Sequence, residues 1–341
     1  MQYKTTISDI ARELKTTPAT VSRALSNHPG ISDKTKSSVH QAALKLKYKR
    51  NRVASSLRSG KTHLIGVIIP SAEINFFGSV VHGIESIANL CGYNVLLYQS
   101  NESRDHEEKG LETFLSARVD GILVSIAKDT IDYSHFREIR TRGIPIVFFD
   151  RANDDLGIDS VVIDDYKGAF LATEHLIRQG YKRIAHISGP QHLKNFYDRL
   201  KGYMAALQAS KISIDPSLVY PGNISIESGK ESISHFLEKK DPPDAIFAAE
   251  DFTALGAISE LKKRNIKIPD EIGIVGFANE LFGEHISPSL STVDQQTIKM
   301  GKSALRLLVD LISSSEINGH KQQKIVLEPL LICRQSSVRR S

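Results

Sequence analysis

From Leu64 onward the chain alternates between short runs of branched aliphatic residues and longer stretches with helical spacing. The runs are "LIGVIIP", "YNVLLYQ", "VDGILVS", "IPIVFFD", "SVVIDD", "RIAHISG", "AIFAAED" and "IGIVGFA". Helical spacing falls around residues 77–91, 105–117, 134–142, 167–179, 196–210, 227–238, 251–264 and 295–313. Strands in such an alternation pair in parallel and are covered by helices on both faces, joined by right-handed crossovers. Residues 63–341 are too many for one such sheet, so two lobes are expected. Ligands in these folds bind beyond the carboxyl ends of the strands. A cleft between two lobes should therefore collect "NFF" (75–77), Ile126 to Lys128, Asp150 and Arg151, "AAED" (248–251) and "GFANE" (276–280).

The first 63 residues differ in kind. They hold thirteen Lys or Arg against three acids, a net of +10, which leaves −5 for the remainder of a chain whose net charge is +5. A basic head on a mildly acidic body points to a polyanionic partner for the head. Within it, "TTISDIAREL" reads as a helix with Thr6 at the N-cap and Asp9 at N3. "TPATVSRAL" reads as a second, capped by Thr17 with Pro18 at N1, where the missing N–H costs nothing. A third follows Ser32 through "DKTKSSVHQAALKLKY". Three short helices with a tight turn after the first form a helix-turn-helix unit. On the second helix, Val21, Ala24 and Leu25 can dock to the bundle. Apart from Arg23 the other side chains are small, so that helix can press into a major groove. A bundle without a nucleic-acid role would show the same apolar spacing; the charge separates the two readings.

The remaining features exclude more than they assign. Cys91 and Cys333 are too few for a disulfide framework and suit reduced thiols of a cytoplasmic protein. No signal-peptide pattern opens the chain and no apolar run reaches membrane-spanning length. There is no Walker loop, G-x-S-x-G elbow, HExxH or GxGxxG after a strand, so an enzyme is not expected, nor is a cofactor or metal. His175, His186 and His285 read as structural.

"DIA", "TVSRAL", "ISDKTK", the Tyr48 step and "NRVASSLRSGKT" leading into a strand resemble the N-terminal region of LacI/GalR transcription regulators. Further matches are "VDGILVS", "IPIVFFDR", "HLIRQGYKRIAHISGP", "RLKGYMAAL", "ALGAI", "IGIVGF" and "PSLSTVDQ", so the resemblance covers essentially the whole chain. It implies a helix-turn-helix DNA-binding domain over 1–47, a hinge helix and linker over 48–62, and a two-lobed body over 63–341 like a periplasmic sugar-binding protein. The first lobe would span about 63–162 plus 292–320, the second about 163–291 plus 321–341. By position, Pro18, Ala19 and Arg23 choose bases, and Arg23 can bond a guanine edge bidentately. Thr6, Thr20, Ser22 and Asn27 resemble donors to phosphate, which set register.

In "NRVASSLRSG" the helical pattern is too short to stand alone. The resemblance implies that two such helices, one per subunit, meet over the minor groove with Leu57 as a wedge beside Asn51, Ala54 and Ser55. A flexible basic linker fits the composition as well. Arg50 departs from the proline common there in the family and adds a phosphate contact.

For the body the resemblance implies an effector site. Phe76 and Phe77 would supply apolar walls, with Ile126, Asp150, Arg151, Arg199, Ile224, Glu250, Asp251 and Asn279 around the ligand. The alternative for Asp150 is an N-cap or interlobe salt bridge, and for Arg199 a structural ion pair. Two departures bear on the ligand. The family's effector-binding Asp is here Ala278, and an aromatic plate is here Ile224, so an anionic or oligomeric sugar is as good a fit as a monosaccharide. The whole reads as a homodimeric, cytoplasmic, nucleoid-associated regulator, a repressor by type. It would bind pseudo-palindromic double-stranded operator DNA under control of a sugar or sugar derivative. The alternative is a DNA-binding regulator or architectural protein with no small-molecule effector.

Overall fold

The computed structural model describes residues 5–48, 61–314 and 321–339. The expected hinge contacts Asn51, Ala54, Ser55 and Leu57 lie outside the described residues. The chain divides into two compact units, Met1–Thr62 and His63–Ser341.

The first unit is built on α1 (Ile7–Glu13), α2 (Pro18–Leu25) and α3 (Asp33–Lys45). Each start is set by its cap. The Thr6 backbone N–H donates to Asp9 Oδ2 at 2.8 Å, Thr17 Oγ1 accepts from Thr20 N at 3.1 Å, and Ser32 Oγ accepts from Thr35 N at 3.3 Å. Each bond satisfies a backbone group that a helix end leaves unpaired. Ile10, Ala11, Val21, Ala24, Val39, Ala42 and Ala43 form the core, with Leu14, Leu25, Leu46 and Tyr48 packed around it. Helix α2 buries only Val21 and Ala24 fully.

The second unit contains two parallel sheets. The first holds β1 (Leu64–Ile69), β2 (Asn94–Gln99), β3 (Gly121–Val124), β4 (Ile146–Phe149), β5 (Asp159–Ile163) and β11 (Lys324–Leu327). Their order is β11-β5-β4-β3-β1-β2 and every pairing is parallel. Helices α4 (Asn75–Leu90), α5 (Arg104–Ala117), α6 (Ser134–Thr141) and α12 (Thr297–Ser313) belong to this lobe. The second sheet holds β6 (Ile184–Ile187), β7 (Val219–Tyr220), β8 (Ala245–Ala248) and β9 (Gly273–Val275) in the order β7-β6-β8-β9. With it go α7 (Asp165–Arg178), α8 (Lys194–Ala209), α9 (Ile226–Leu237), α10 (Asp251–Lys263) and the short α11 (Phe282–His285). Every residue of β3, β4, β6 and β8 is buried, as strands covered on both faces must be.

Between the lobes, β10 (Thr292–Asp294) pairs antiparallel with β12 (Leu330–Ile332). The chain therefore crosses three times: after β5, through β10, and between β11 and β12. The lobe boundary differs here from expectation. Lys324 pairs with Ser160 and Leu327 with Ile163, so β11 is the edge of the first sheet, not part of the second lobe. Only the segment after β12 returns to the second lobe, where Ile274 N donates to Ser336 O at 2.8 Å.

In the first lobe α4 and α12 cross closely. A Cβ on Gly301 would lie 2.1 Å from Val80 O, and one on Gly83 would lie 2.4 Å from Ile298 O. Glycine on both helices is what allows that approach.

Candidate functional site

Two surfaces can carry function, one in each unit. On the first, Pro18, Ala19 and Arg23 are exposed on α2, and Thr20 and Ser22 are half-buried beside them. Thr6 and Asn27 are exposed at the start of α1 and just past the end of α2. The Thr20 hydroxyl is 3.0 Å from that of Thr17, so its cap partner orients it. The outward face of α2 thus offers a flat strip of small groups and one long guanidinium. No described side chain bonds that guanidinium.

In the second unit a cavity of about 160 Å³ lies between the lobes. The first lobe contributes Ile74, Phe76, Phe77, Glu102, Lys128, Asp150 and Arg151, and the second Asn195, Phe196, Arg199, Ile224, Glu250, Phe252, Ala278 and Glu280, with Gln295 from a crossover. Most follow directly from the carboxyl ends of strands. Three non-glycine wall residues hold positive φ: Asp150 at 60°, Ile224 at 45° and Ala278 at 146°. Such conformations cost of order 1–3 kcal/mol each and persist where the surroundings over-determine them, as at ligand sites.

The two arginines of the cavity are already engaged. Arg151 grips Glu102 bidentately at 2.7 and 3.0 Å and also donates to Ile126 O at 3.1 Å. Burial works against the Glu102 charge, yet Arg151 holds its carboxyl below the usual range. Arg199 donates through Nε to Asp165 at 2.8 Å, through Nη1 to Ala249 O at 2.7 Å and through Nη2 to Gln295 at 3.3 Å. Its plane also lies 3.7 Å from the centroid of the Phe277 ring. Burial pushes Asp165 up to about 7 despite the guanidinium beside it.

The carboxylates of the cavity are under-compensated. Glu250 caps α10, its Oε2 accepting from Phe252 N at 2.8 Å and Thr253 N at 3.2 Å. Burial, with the adjacent Asp251 charge, raises it to about 8. Glu280 Oε1 accepts from Phe76 N at 3.0 Å, a bond that joins the lobes, and burial raises this carboxyl too. Across the cleft mouth His192 Nε2 donates to Lys128 O at 2.6 Å.

Residues 62–327 match the family model described as "Periplasmic binding proteins and sugar binding domain of LacI family", and residues 6–51 match "Bacterial regulatory proteins, lacI family". The chain belongs to the LacI family. The transcriptional regulator RegA of Clostridium saccharobutylicum is 32% identical to it, over 98% of this chain and 99% of that one. Among solved structures, the regulator CcpA of Lactococcus lactis matches with a TM-score of 0.74 at 31% identity, covering 80% of this chain and 98% of its own. A complex of the regulator CelR with cellobiose matches with a TM-score of 0.73 at 28% identity, covering 98% and 100%. This LacI-family member is therefore a DNA-binding transcriptional regulator whose body is an effector-binding domain.

Of the effector residues expected in this LacI-family body, Phe76, Phe77, Asp150, Arg151, Arg199, Ile224 and Glu250 line the cavity. Three do not. Ile126 packs in the first lobe's core and opens onto a neighbouring cavity. Asp251 is fully buried behind the wall, accepting from Thr292 Oγ1 at 2.7 Å and Glu280 N at 2.8 Å. Asn279 turns away to bond Asp294 at 3.2 Å and Arg334 at 2.9 Å.

Asp150 is neither an N-cap nor an interlobe bridge. It accepts from Ser125 Oγ at 3.2 Å and lies 3.8 Å from Arg151 Nε, both on its own lobe. For Arg199 the ion-pair alternative describes the geometry, since every nitrogen is bonded within the protein. Glu102, Asn195, Phe196, Phe252 and Gln295 were not singled out from the sequence. Glu102 lies just past β2, where the strand-end rule would have found it; Asn195, Phe196 and Phe252 sit in the first turns of helices, which that rule does not reach.

Among the described residues no helix is long and apolar enough to cross a membrane, and no group of three His, Cys, Asp or Glu could hold a metal ion.

Proposed function

We propose that this protein is a homodimeric, effector-controlled repressor that acts in the cytoplasm on the nucleoid and catalyses no reaction. Two helix-turn-helix units take the half-sites of a pseudo-palindromic operator. Arg23 reads a base edge, Pro18 and Ala19 allow close approach, and Thr6, Thr20, Ser22 and Asn27 hold phosphates. Asn51, Ala54, Ser55 and Leu57 contact the operator centre. The effector is a sugar or sugar derivative, a class to which the cellobiose of the CelR complex belongs.

The supporting observation is Arg199. From the second lobe it bonds Asp165 at one crossover and Gln295 at another, while its side chain forms part of the cavity wall. Occupancy of the cavity therefore acts on the segments about which the lobes move. That is the two-state element a ligand must bias to change a distant affinity.

The test uses fluorescence anisotropy on an operator taken from genome-wide binding sites. Ligand should change operator affinity, and Leu57→Ser should weaken operator binding while leaving ligand affinity unchanged. A broad panel of sugars and sugar derivatives at millimolar concentration with no effect on affinity would rule out effector control. The reading of a regulator without an effector would then stand in its place.

A further inference from the structure

The charges of the cavity are arranged unevenly. Its arginines are each held by a carboxylate, Arg151 by Glu102 and Arg199 by Asp165, although Arg151 Nε has no hydrogen-bond partner among the described residues. Its one ammonium, Lys128, is on the first lobe, where its charge acts on Glu102. On the opposite wall Glu250 and Glu280 form no ion pair with any described residue, and each is acted on by a neighbouring carboxylate.

Each of these two carboxylates has one oxygen committed to backbone N–H groups and the other without a described donor. Glu250 gives Oε2 to the start of α10, and Glu280 gives Oε1 to Phe76 N. Glu280 is only 2% exposed, so its second oxygen has nowhere to find water except the cavity it lines. Two carboxylates thus face one small space, with Asp251 behind them adding to their mutual repulsion. The phenyl rings of Phe76, Phe77 and Phe252 flank that space, and a ring face attracts a cation.

Resting on the effector-site reading above, we propose that the ligand carries a protonated amine, seated against Glu250 and Glu280: an amino sugar in chemical class. An anionic ligand would meet two carboxyl groups without a cationic partner, and guanidiniums already engaged by Glu102 and Asp165. A neutral polyol supplies no counter-charge, so Glu250, raised to about 8, stays mostly protonated at pH 7, whereas an ammonium supplies the charge against which it can ionise. An ammonium supplies three donors where two acceptor oxygens stand open. The raised pKa of each carboxyl agrees, since each marks a site where positive charge is missing.

The experiment titrates the full chain with glucosamine, galactosamine and mannosamine, each against glucose, galactose or mannose, by calorimetry at pH 7. At least one amine should bind roughly tenfold or more tightly than its hydroxyl counterpart, as a charge-assisted bond replaces a neutral one. Glu250→Gln and Glu280→Gln, which keep the acceptor each backbone group uses, should each remove most of that ratio, read within each variant as amine against hydroxyl affinity. The proposal is overturned if no amine outbinds its counterpart, if neither sugar of any pair binds, or if the ratio survives both substitutions. If a neutral sugar alone shifts operator affinity, the amine proposal fails and effector control stands; if no small molecule shifts it, both fail.

Discussion

Glu250→Gln should stabilise this protein in a way that depends on pH. In the folded chain the carboxyl is lifted from 4.5 to about 8 by burial and by Asp251. A raised carboxyl binds its proton more tightly folded than unfolded, so stability falls as pH climbs from about 4.5 through about 8. At about 1.4 kcal/mol per unit, the wild-type penalty is about 4 kcal/mol at pH 8 and about 1 kcal/mol at pH 5. Glutamine carries no charge to bury at either pH. It still offers an oxygen to Phe252 N and Thr253 N, so the cap on α10 survives. The variant should therefore gain about 3 kcal/mol more, relative to wild type, at pH 8 than at pH 5. Urea unfolding of both proteins at the two pH values, without ligand, measures this as a difference in midpoint at unchanged slope. A loss of stability at pH 8, or an equal change at both pH values, would show that Glu250 is not a buried charge in want of a partner.

Other substitutions test other links. Arg199→Met removes one partner of a buried ion pair and should cost about 3–5 kcal/mol in urea unfolding; adding Asp165→Asn should restore at least half of it, and full additivity would refute the pairing. Gly301→Ala puts a methyl 2.1 Å from Val80 O, and the forced separation of α4 and α12 should cost about 1–3 kcal/mol by the same method. Arg23→Ala should reduce discrimination at one base pair of each half-site by about 1–3 kcal/mol while changing non-specific affinity less, read by binding to a library of singly substituted operators.

The regular part of the fold was legible in the residues. All eight apolar runs are strands and all eight intervening stretches are helices, because each strand except the edge strand β2 is a mostly buried run and each helix is long enough to show its period. The segments that escaped are short. β7 is "VY", β10 is "TVD" and β12 is "LLI", none long enough for a pattern to form. β11 escaped for another reason: "KIVL" is a fair strand locally, but its partner β5 lies far back in the chain and nothing nearby says which sheet it joins.

The site follows the same division. Strand ends located Asp150, Arg151 and Glu250. Whether a residue beside a strand end faces the cavity depends on its neighbours. Asp251 is drawn inward by Thr292, and Asn279 by Arg334 and Asp294. Arg199 was identified as an effector contact, but its bonds to two crossovers became visible only when residues distant in sequence were brought together.

The pairing of β11 with β5 also orders the birth of the molecule. A chain made from its N-terminus has α1 to α3 complete within its first few dozen residues, and their contacts are local. The second lobe is nearly continuous from α7 to β9, so its sheet can close as soon as that stretch is free. The first lobe, although its strands are made earlier, lacks α12 across its face and β11 along its edge until residues 297–327 have emerged. Its sheet must wait with an open strand edge, a state prone to sticking. During synthesis the lobe nearest the DNA-binding head in sequence is thus the last to be sealed, and a nascent chain halted before α12 carries a finished reading head on an unfinished sensor.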